Sequence, residues 1–390
     1  MAADENKITK PKVKIKVFGV GGGGNSVLMR MGQSQNLEIE LIAVNTDAKQ
    51  LAQVGQVEGV HTLQIGEALT RGRGTGGQVE VGEQAAKEAE AVLREAVTGS
   101  DLIFITAGMG GGTGTGAAPV LARLASEMGI LSVGVVTMPF GFEGNRKKKV
   151  ATEGIVRLQS YMDALIAVEN DNLMKLPENR RMSMVQAFVC ADNILRQAIS
   201  CIAELILTTG VINVDFADVT TIFRQNDSSD ALLGIGHSKR SAVEAVKLAV
   251  ESPLVDKSLK GARGIIINLT GDETLSLYDV DEATRYIYEH TDPEVNIILG
   301  TVIDESMQGD VQATIIATDF ADSVSLKAPE AKVPESRIQA PTEPPKLDLE
   351  APSFMSKGSS QSAVEPPNFR TNEGFAIPAF KLVPDLDGKK

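Results

Sequence analysis

Six glycines fall within the nine residues Gly108-Met109-Gly110-Gly111-Gly112-Thr113-Gly114-Thr115-Gly116. Ordering glycine costs more backbone entropy than ordering any other residue, so a run this dense has to be offset by contacts that side chains would obstruct. The run follows the apolar stretch Leu102 to Ile105 and leads into helical spacing over Gly114–Met128. A tight strand-to-helix turn needs one or two glycines. A backbone brought against an anion needs several, because unobstructed N–H groups and the positive end of a helix are what hold charged oxygens.

A related loop stands near the start of the chain. Gly19-Val20-Gly21-Gly22-Gly23-Gly24-Asn25 follows Val13 to Phe18 and opens a helical stretch at Asn25–Met31. Gly19, Gly21 and Gly24 satisfy G-x-G-x-x-G, with Glu40 about twenty residues on. Alone, this pattern fits a dinucleotide-binding oxidoreductase. That reading leaves the second loop unexplained, and no catalytic His or Lys constellation accompanies it. A nucleoside triphosphate needs several groups of donors and so accounts for both loops. No G-x-x-x-x-G-K-[ST] occurs, so neither is a Walker-type loop.

Further apolar runs at Ile39–Val44, Leu131–Thr137 and Leu165–Val168 alternate with helical spacing at Glu80–Val97 and Lys147–Tyr161. Strand and helix in alternation predict a doubly wound parallel sheet. Pro119 falls near the first turn of its helix, where proline is tolerated. Met184 to Leu207 is a long apolar-periodic stretch stopped at Thr209-Gly210. After it, Ser241–Val250 and Asp281–His290 read as helices, and Gly264–Leu269, Val295–Ile303 and Val311–Ala317 as strands. The expected fold is α/β: a doubly wound parallel-sheet domain joined by a long central helix to a smaller α/β domain.

Composition changes sharply near residue 320. Ten of the sixteen prolines fall in the last 70 residues, where apolar periodicity is lost, so that stretch reads as a disordered tail. At its far end, Phe375-Ala376-Ile377-Pro378-Ala379-Phe380-Lys381-Leu382 concentrates two aromatics and two aliphatics, which reads either as a stray apolar patch or as a peptide that docks on a partner. A formal charge of −13 argues against binding bare nucleic acid or an anionic membrane surface. His61, His237 and His290 are scattered and form no metal motif. Cys190 and Cys201 lie on one helical stretch, roughly 16 Å apart along its axis, too far for a disulfide. With no long apolar run and no signal-peptide core, a cytoplasmic protein without membrane insertion is expected.

Gly110 to Gly116 reads G-G-G-T-G-T-G, and with the other loops it resembles the tubulin/FtsZ GTPase family over roughly Lys12 to Phe320 plus the terminal peptide. The resemblance implies a bacterial cell-division GTPase that polymerises head to tail and acts at a mid-cell ring. It implies GTP or GDP and Mg²⁺ as ligands. Gly21, Gly22, Gly23, Gly24, Asn25 and Ser26 would form the first phosphate loop, and Asn45 and Asp47 would face the phosphates, with Asp47 near Mg²⁺. Read without the family, Asp47 fits a strand-end cap equally well. Thr75 and Gly76, within Thr70 to Gly77, would sense the γ-phosphate. Gly108, Gly110, Gly111, Gly112, Thr113 and Gly114 would wrap the α- and β-phosphates, and Glu143 would accept from the ribose hydroxyls. Asn170 and Asp192 would read guanine, with Phe188 stacked on the base. A carboxylate accepts from guanine N1–H and its 2-amino group, donors adenine lacks.

The resemblance also assigns Asn213, Asp215 and Asp218 as catalytic, on a loop that completes the site of the next subunit. On residues alone, two acids three apart after a long helix read equally as a solvated loop. Where the family carries arginine four residues after Glu143, this chain has Lys147, preceded by Arg146. Both are candidates for the nucleotide contact, and lysine loses the bidentate phosphate geometry. Gln78-Val79 and Glu169 also depart from the family pattern, as do Ala376 and Leu382 in the terminal peptide. That peptide would bind membrane-tethering and regulatory division proteins. The implied organisation is a flexible N-terminus to residue 11, a nucleotide-binding domain over 12–180, a central helix over 181–209, a C-terminal domain over 210–320, a disordered linker over 321–373 and a docking peptide at 374–383.

Overall fold

The computed structural model describes residues 12–33, 38–175, 181–208, 214–225, 229–239, 241–252, 254, 259 and 261–320. The N-terminal segment, Asn213, the linker and the terminal peptide lie outside the described residues.

The first half alternates β1 (Ile15–Val20), α1 (Gly21–Gly32), β2 (Ile39–Asn45), α2 (Ala48–Val54), β3 (Val60–Gln64), α3 (Glu67–Thr70), α4 (Val79–Glu88), α5 (Glu90–Val97), β4 (Leu102–Gly108), α6 (Gly112–Glu127), β5 (Leu131–Met138), α7 (Asn145–Gln159), β6 (Ala164–Glu169) and α8 (Asn170–Leu173). The 24-residue α9 (Met184–Leu207) follows. Then come α10 (Phe216–Arg224), β7 (Asp230–Lys239), α11 (Ala242–Val250), β8 (Ala262–Gly271), α12 (Leu277–His290), β9 (Asn296–Ile303) and β10 (Asp310–Phe320).

The strands form one sheet in the order β3-β2-β1-β4-β5-β6-β7-β10-β8-β9. Pairing is parallel except where β10 runs antiparallel to β7 and β8. The two halves of the sheet meet narrowly, through Leu165↔Asp230 and Ile166↔Ala231. The central strands are buried on both faces, which is why they read as continuous apolar runs. Val17, Phe104, Val133 and Ile166 face α1 and α9, and the same core continues into Val219, Ile222 and Phe223 of α10. Phe18, Ile103, Ile105 and Val136 face the other way, onto α4 to α7. A third core packs α11 and α12 on β8 and β10. The sheet is thus mostly parallel and covered on both faces, as the alternation predicts.

Five differences from the sequence expectations have local causes. Pro119 lies inside α6, in its third turn rather than near its first, because the helix begins at Gly112. The stretch Glu80–Val97 is not one helix: Ala89, at φ −92° and ψ 12°, separates α4 from α5. β3 is an edge strand whose His61 and Thr62 are exposed, so it lacks an apolar pattern. β7 was missed because Gly234 and Gly236 interrupt it. Gly236 is required there, since a Cβ would collide with Ala245 O and Ala249 N of α11. Asp215 and Asp218 belong to a helix N-terminus rather than a loop, as Asp215 precedes α10 and Asp218 sits in its first turn.

Close helix packing explains one glycine of the dense run. A Cβ on Gly116 would collide with Val79 O and lie 2.6 Å from Glu83 N, so α6 meets the backbone of α4 directly. Backbone cannot swing aside as a side chain can. Gly116→Ala is therefore expected to destabilise the protein by about 1–3 kcal/mol, despite alanine's better helix propensity. Urea unfolding of nucleotide-free protein measures this, and unchanged stability would contradict the packing argument.

Candidate functional site

A cleft of about 630 Å³ opens above the carboxyl ends of β1, β2, β4, β5 and β6. From β1 the chain proceeds outward to β2 on one side and later to β4 on the other. Crevices at such a reversal are the ligand sites of open α/β sheets. Both glycine loops flank it, the first after β1 and the second after β4.

The glycines divide into two groups. Gly22, Gly23, Gly76, Gly108, Gly111, Gly112 and Gly114 line the cleft. Gly21, Gly24 and Gly110 do not, and they serve close packing instead. Gly21, at φ +71°, would place a Cβ 2.8 Å from Gly114 N, so the two loops touch through backbone. A Cβ on Gly24 would meet Thr106 O, and one on Gly110 would lie 2.7 Å from Lys147 Cγ.

Side-chain amides fix the loops. Asn25 donates from Nδ2 to Gly19 O at 2.7 Å and accepts at Oδ1 from Asn45 Nδ2 at 2.7 Å. Asn45 Oδ1 accepts the Thr46 and Asp47 N–H groups at 2.8 and 3.2 Å. The buried Thr46 and Thr113 hydroxyls lie 2.8 Å apart and tie β2 to the second loop. Ser26 lines the cleft and donates from Oγ to Gly22 O at 3.1 Å. Asp47 caps α2, its Oδ1 accepting from Lys49 and Gln50 N–H at 2.9 and 3.1 Å. Oδ2 of Asp47 takes no hydrogen bond among the described residues. Arg73 pairs with Asp47 through backbone, and Gly74 N donates to Thr46 O at 3.3 Å, so the third loop folds over the same end. Thr75 lines the cleft there.

Phe188 and Asp192 line the other end of the cleft, and Phe140 and Phe142 pack beside Phe188 outside that lining. The Phe140 and Phe142 rings stack at 5.1 Å, and Phe188 meets Phe140 edge-on at 5.4 Å. Phe188 of α9 remains 41% exposed on the cleft wall. Asp192, one turn on, accepts from Arg30 Nε at 3.0 Å. Burial pushes its carboxyl up, opposed by the hydrogen bond and charge of Arg30. Asn170 lines the cleft but is buried, and its Oδ1 has no hydrogen-bond partner among the described residues, an acceptor left unsatisfied beside the cleft. Glu143 accepts the Phe140 N–H at 2.9 Å and pairs with Lys147. Lys147 lines the cleft, whereas Arg146 is exposed and does not.

Gln50, Arg73, Thr137 and Met29 also line the cleft, though the sequence reading did not select them as ligand residues. Gln50 carries a signal in hindsight, three residues beyond Asp47 on the same helix end, and its Oε1 accepts from Asn45 at 2.9 Å. Asp215 and Asp218 are exposed, make no side-chain contact among the described residues and do not line the cleft. No group of three or more His, Cys, Asp and Glu side chains forms a metal site among the described residues, and no described helix is long and apolar enough to cross a membrane.

Residues 14–178 match the GTPase domain of the tubulin/FtsZ family, and residues 229–321 match the FtsZ family C-terminal domain. An empty FtsZ dimer from M. jannaschii is 39% identical, with a TM-score of 0.75 over 80% of this chain and 89% of that chain. The chain belongs to the tubulin/FtsZ family. Two CetZ structures from Haloferax volcanii share the fold. A GTPγS-bound CetZ2 protofilament has TM-score 0.67 and 21% identity, covering 80% of this chain and 95% of that chain. A GDP-bound CetZ1 monomer has TM-score 0.68 and 18% identity, covering 80% and 96%. As a member of the tubulin/FtsZ family the protein is a tubulin-like GTPase that binds guanine nucleotide, and the oxidoreductase reading is set aside. Most of the cleft lies within the GTPase-domain match, but Phe188, Ala191 and Asp192 come from α9, between the two matched segments.

Proposed function

We propose that this GTPase polymerises head to tail and that Asp215, Asp218 and Asn213 of one subunit complete the cleft of the next. The observation that carries this reading is the separation of the acids from the cleft. Asp192 sits at the cleft, and α9 then runs on to Leu207 before α10 begins. Fifteen residues at 1.5 Å each place the far end of α9 roughly 22 Å away. The two carboxylates are exposed at the N-terminal end of α10 and make no side-chain hydrogen bond or ion pair among the described residues, so they are available to a neighbour. A head-to-tail contact that does not close produces a filament, and hydrolysis then requires assembly. The dimer and protofilament described for the FtsZ and CetZ relatives support self-association.

In the cleft, backbone N–H groups of Gly22, Gly23 and Gly111 to Gly114 would hold the phosphates, with Thr75 and Gly76 at the γ-phosphate. Asn170 Oδ1 and Asp192 would accept from guanine, Phe188 would cover the base, and Glu143 would face the ribose while paired with Lys147. Mg²⁺ neutralises charge on the β- and γ-phosphates when bound. Asp47, whose Oδ2 accepts no hydrogen bond among the described residues, would hold it. The neighbour's Asp218, assisted by Asp215, would orient and polarise the attacking water. The cell role that fits is a cytokinetic ring scaffold, cytoplasmic and at mid-cell, tethered through Phe375 to Leu382.

The test is 90° light scattering with Mg²⁺. A rise with GTP, none with GDP or ATP, and decay as phosphate is released is the expected result. Tight GTP binding and turnover with no rise at any protein concentration would overturn the polymerisation reading.

A further inference from the structure

The end of α10 remote from its acids is fastened to the GTPase domain. Arg224, its last residue, donates from Nη2 to Gly129 O at 2.8 Å and lies with Nε 3.5 Å from Asp163 Oδ1. Neither acceptor is loose. Gly129 follows α6 in the left-handed conformation, at φ +68°. Asp163 is held by its other oxygen, which accepts from Ser132 N and Oγ at 2.8 and 3.2 Å. The chain after α10 is stapled at the same corner, with Ser229 Oγ donating to Gln159 O at 3.0 Å and Leu165 N donating to Ser229 O at 2.6 Å. Among the described residues α10 also packs on the core through the apolar side chains Phe216, Val219, Ile222 and Phe223. These contacts seat the helix on the sheet, and the Arg224 hydrogen bond adds a directional tie at its C-terminal end.

We propose that Arg224 is a positioning residue for GTP hydrolysis: by pinning the C-terminal end of α10 to Gly129 O and Asp163, it sets where Asp215 and Asp218 project into the neighbour's cleft. This rests on the reading that these acids act in trans. Gly129 follows the helix whose N-terminus builds the second glycine loop, so the clamp joins the acids' helix to the element that carries the subunit's own phosphate site. The pair is 43% exposed at Arg224, and exposed ion pairs contribute little to stability. Its geometric effect can therefore be measured separately from folding.

Arg224→Ala is expected to lower kcat for GTP by about tenfold, because small misplacements of catalytic groups are expensive in rate. KM, GTP affinity and GTP-dependent sedimentation stay unchanged, and Arg224→Lys recovers part of the loss by retaining the charge. Turnover within about twofold of wild type in both variants, or a fall in kcat matched by a fall in GTP affinity, would overturn the clamp. Should the alanine variant fold poorly by circular dichroism, Arg224→Lys supplies the same kcat-against-KM comparison. Asp218→Ala run in parallel separates the two claims. If it turns over normally, the trans reading fails and the clamp with it. If it is inactive while both Arg224 variants are normal, the clamp alone fails.

Discussion

Asp218→Ala is expected to reduce GTP turnover by about a hundredfold or more, the scale of losing a positioned acid–base group, while leaving GTP binding and GTP-dependent sedimentation intact. The expectation follows from where the side chain stands. It is exposed in the first turn of α10, makes no side-chain hydrogen bond or ion pair among the described residues and does not line the chain's own cleft. Truncating such a group disturbs no packed contact, so stability should stay within about 1 kcal/mol of wild type. A favourable interaction of an acid with the helix N-terminus is lost, but that is a few tenths to about 1 kcal/mol at an exposed site. Phosphate release measured on sedimented polymer isolates the chemical step from assembly. Normal release would remove Asp218 from the mechanism, and loss of GTP binding would show a role within the subunit's own cleft.

The sequence made the sheet's centre readable and its periphery obscure for the same physical reason. β1, β4 and β5 are buried on both faces and so need apolar residues at nearly every position. β3 is an edge strand, and β7 carries glycines where α11 lies against it, so neither shows a run or a clean alternation. The dense glycine run was legible as an anion site. The division of labour within it was not, because Gly110 and Gly111 are the same letter, yet one packs against Lys147 and the other lines the cleft. Asp47 shows how two readings of one residue can coexist, since one oxygen caps α2 while the residue also lines the cleft. Asp192 and Asn170 lie far from the glycine loops in sequence, and only the family resemblance picked them out. Their burial, the Arg30 pairing and the unpartnered Asn170 oxygen emerge only once β6, α1 and α9 are brought together. Arg224 had no sequence signal, because its partners, Gly129 and Asp163, lie in other parts of the chain.

Asp192→Asn is expected to weaken GTP binding by about ten- to a hundredfold, corresponding to about 1.5–3 kcal/mol for hydrogen bonds to a charged group. ATP binding should be nearly unaffected, so the preference for guanine shrinks. The amide turns a donor toward a base edge that also donates, and it deprives Arg30 of its charge partner. Acidity gives an independent check. Burial raises the Asp192 carboxyl above its usual value, with Arg30 pulling the other way. Guanine needs the ionised form, so GTP affinity should begin to fall, as pH is lowered, at a higher pH than an exposed carboxylate would dictate. In the empty protein the sign is opposite: a raised carboxyl binds its proton more tightly folded than unfolded, so this group favours folding more as pH falls. GTP titrations from neutral pH downward should show the loss in wild type and not in Asp192→Asn; parallel curves would remove Asp192 from base recognition. The same variant also tests catalysis between subunits. Asp218→Ala keeps an intact cleft, and Asp192→Asn keeps intact acids. An equal mixture should therefore turn over GTP faster than the average of the two alone, because some interfaces pair a good cleft with good acids. A cis mechanism gives no such gain, and a mixture that merely averages its components would exclude hydrolysis in trans.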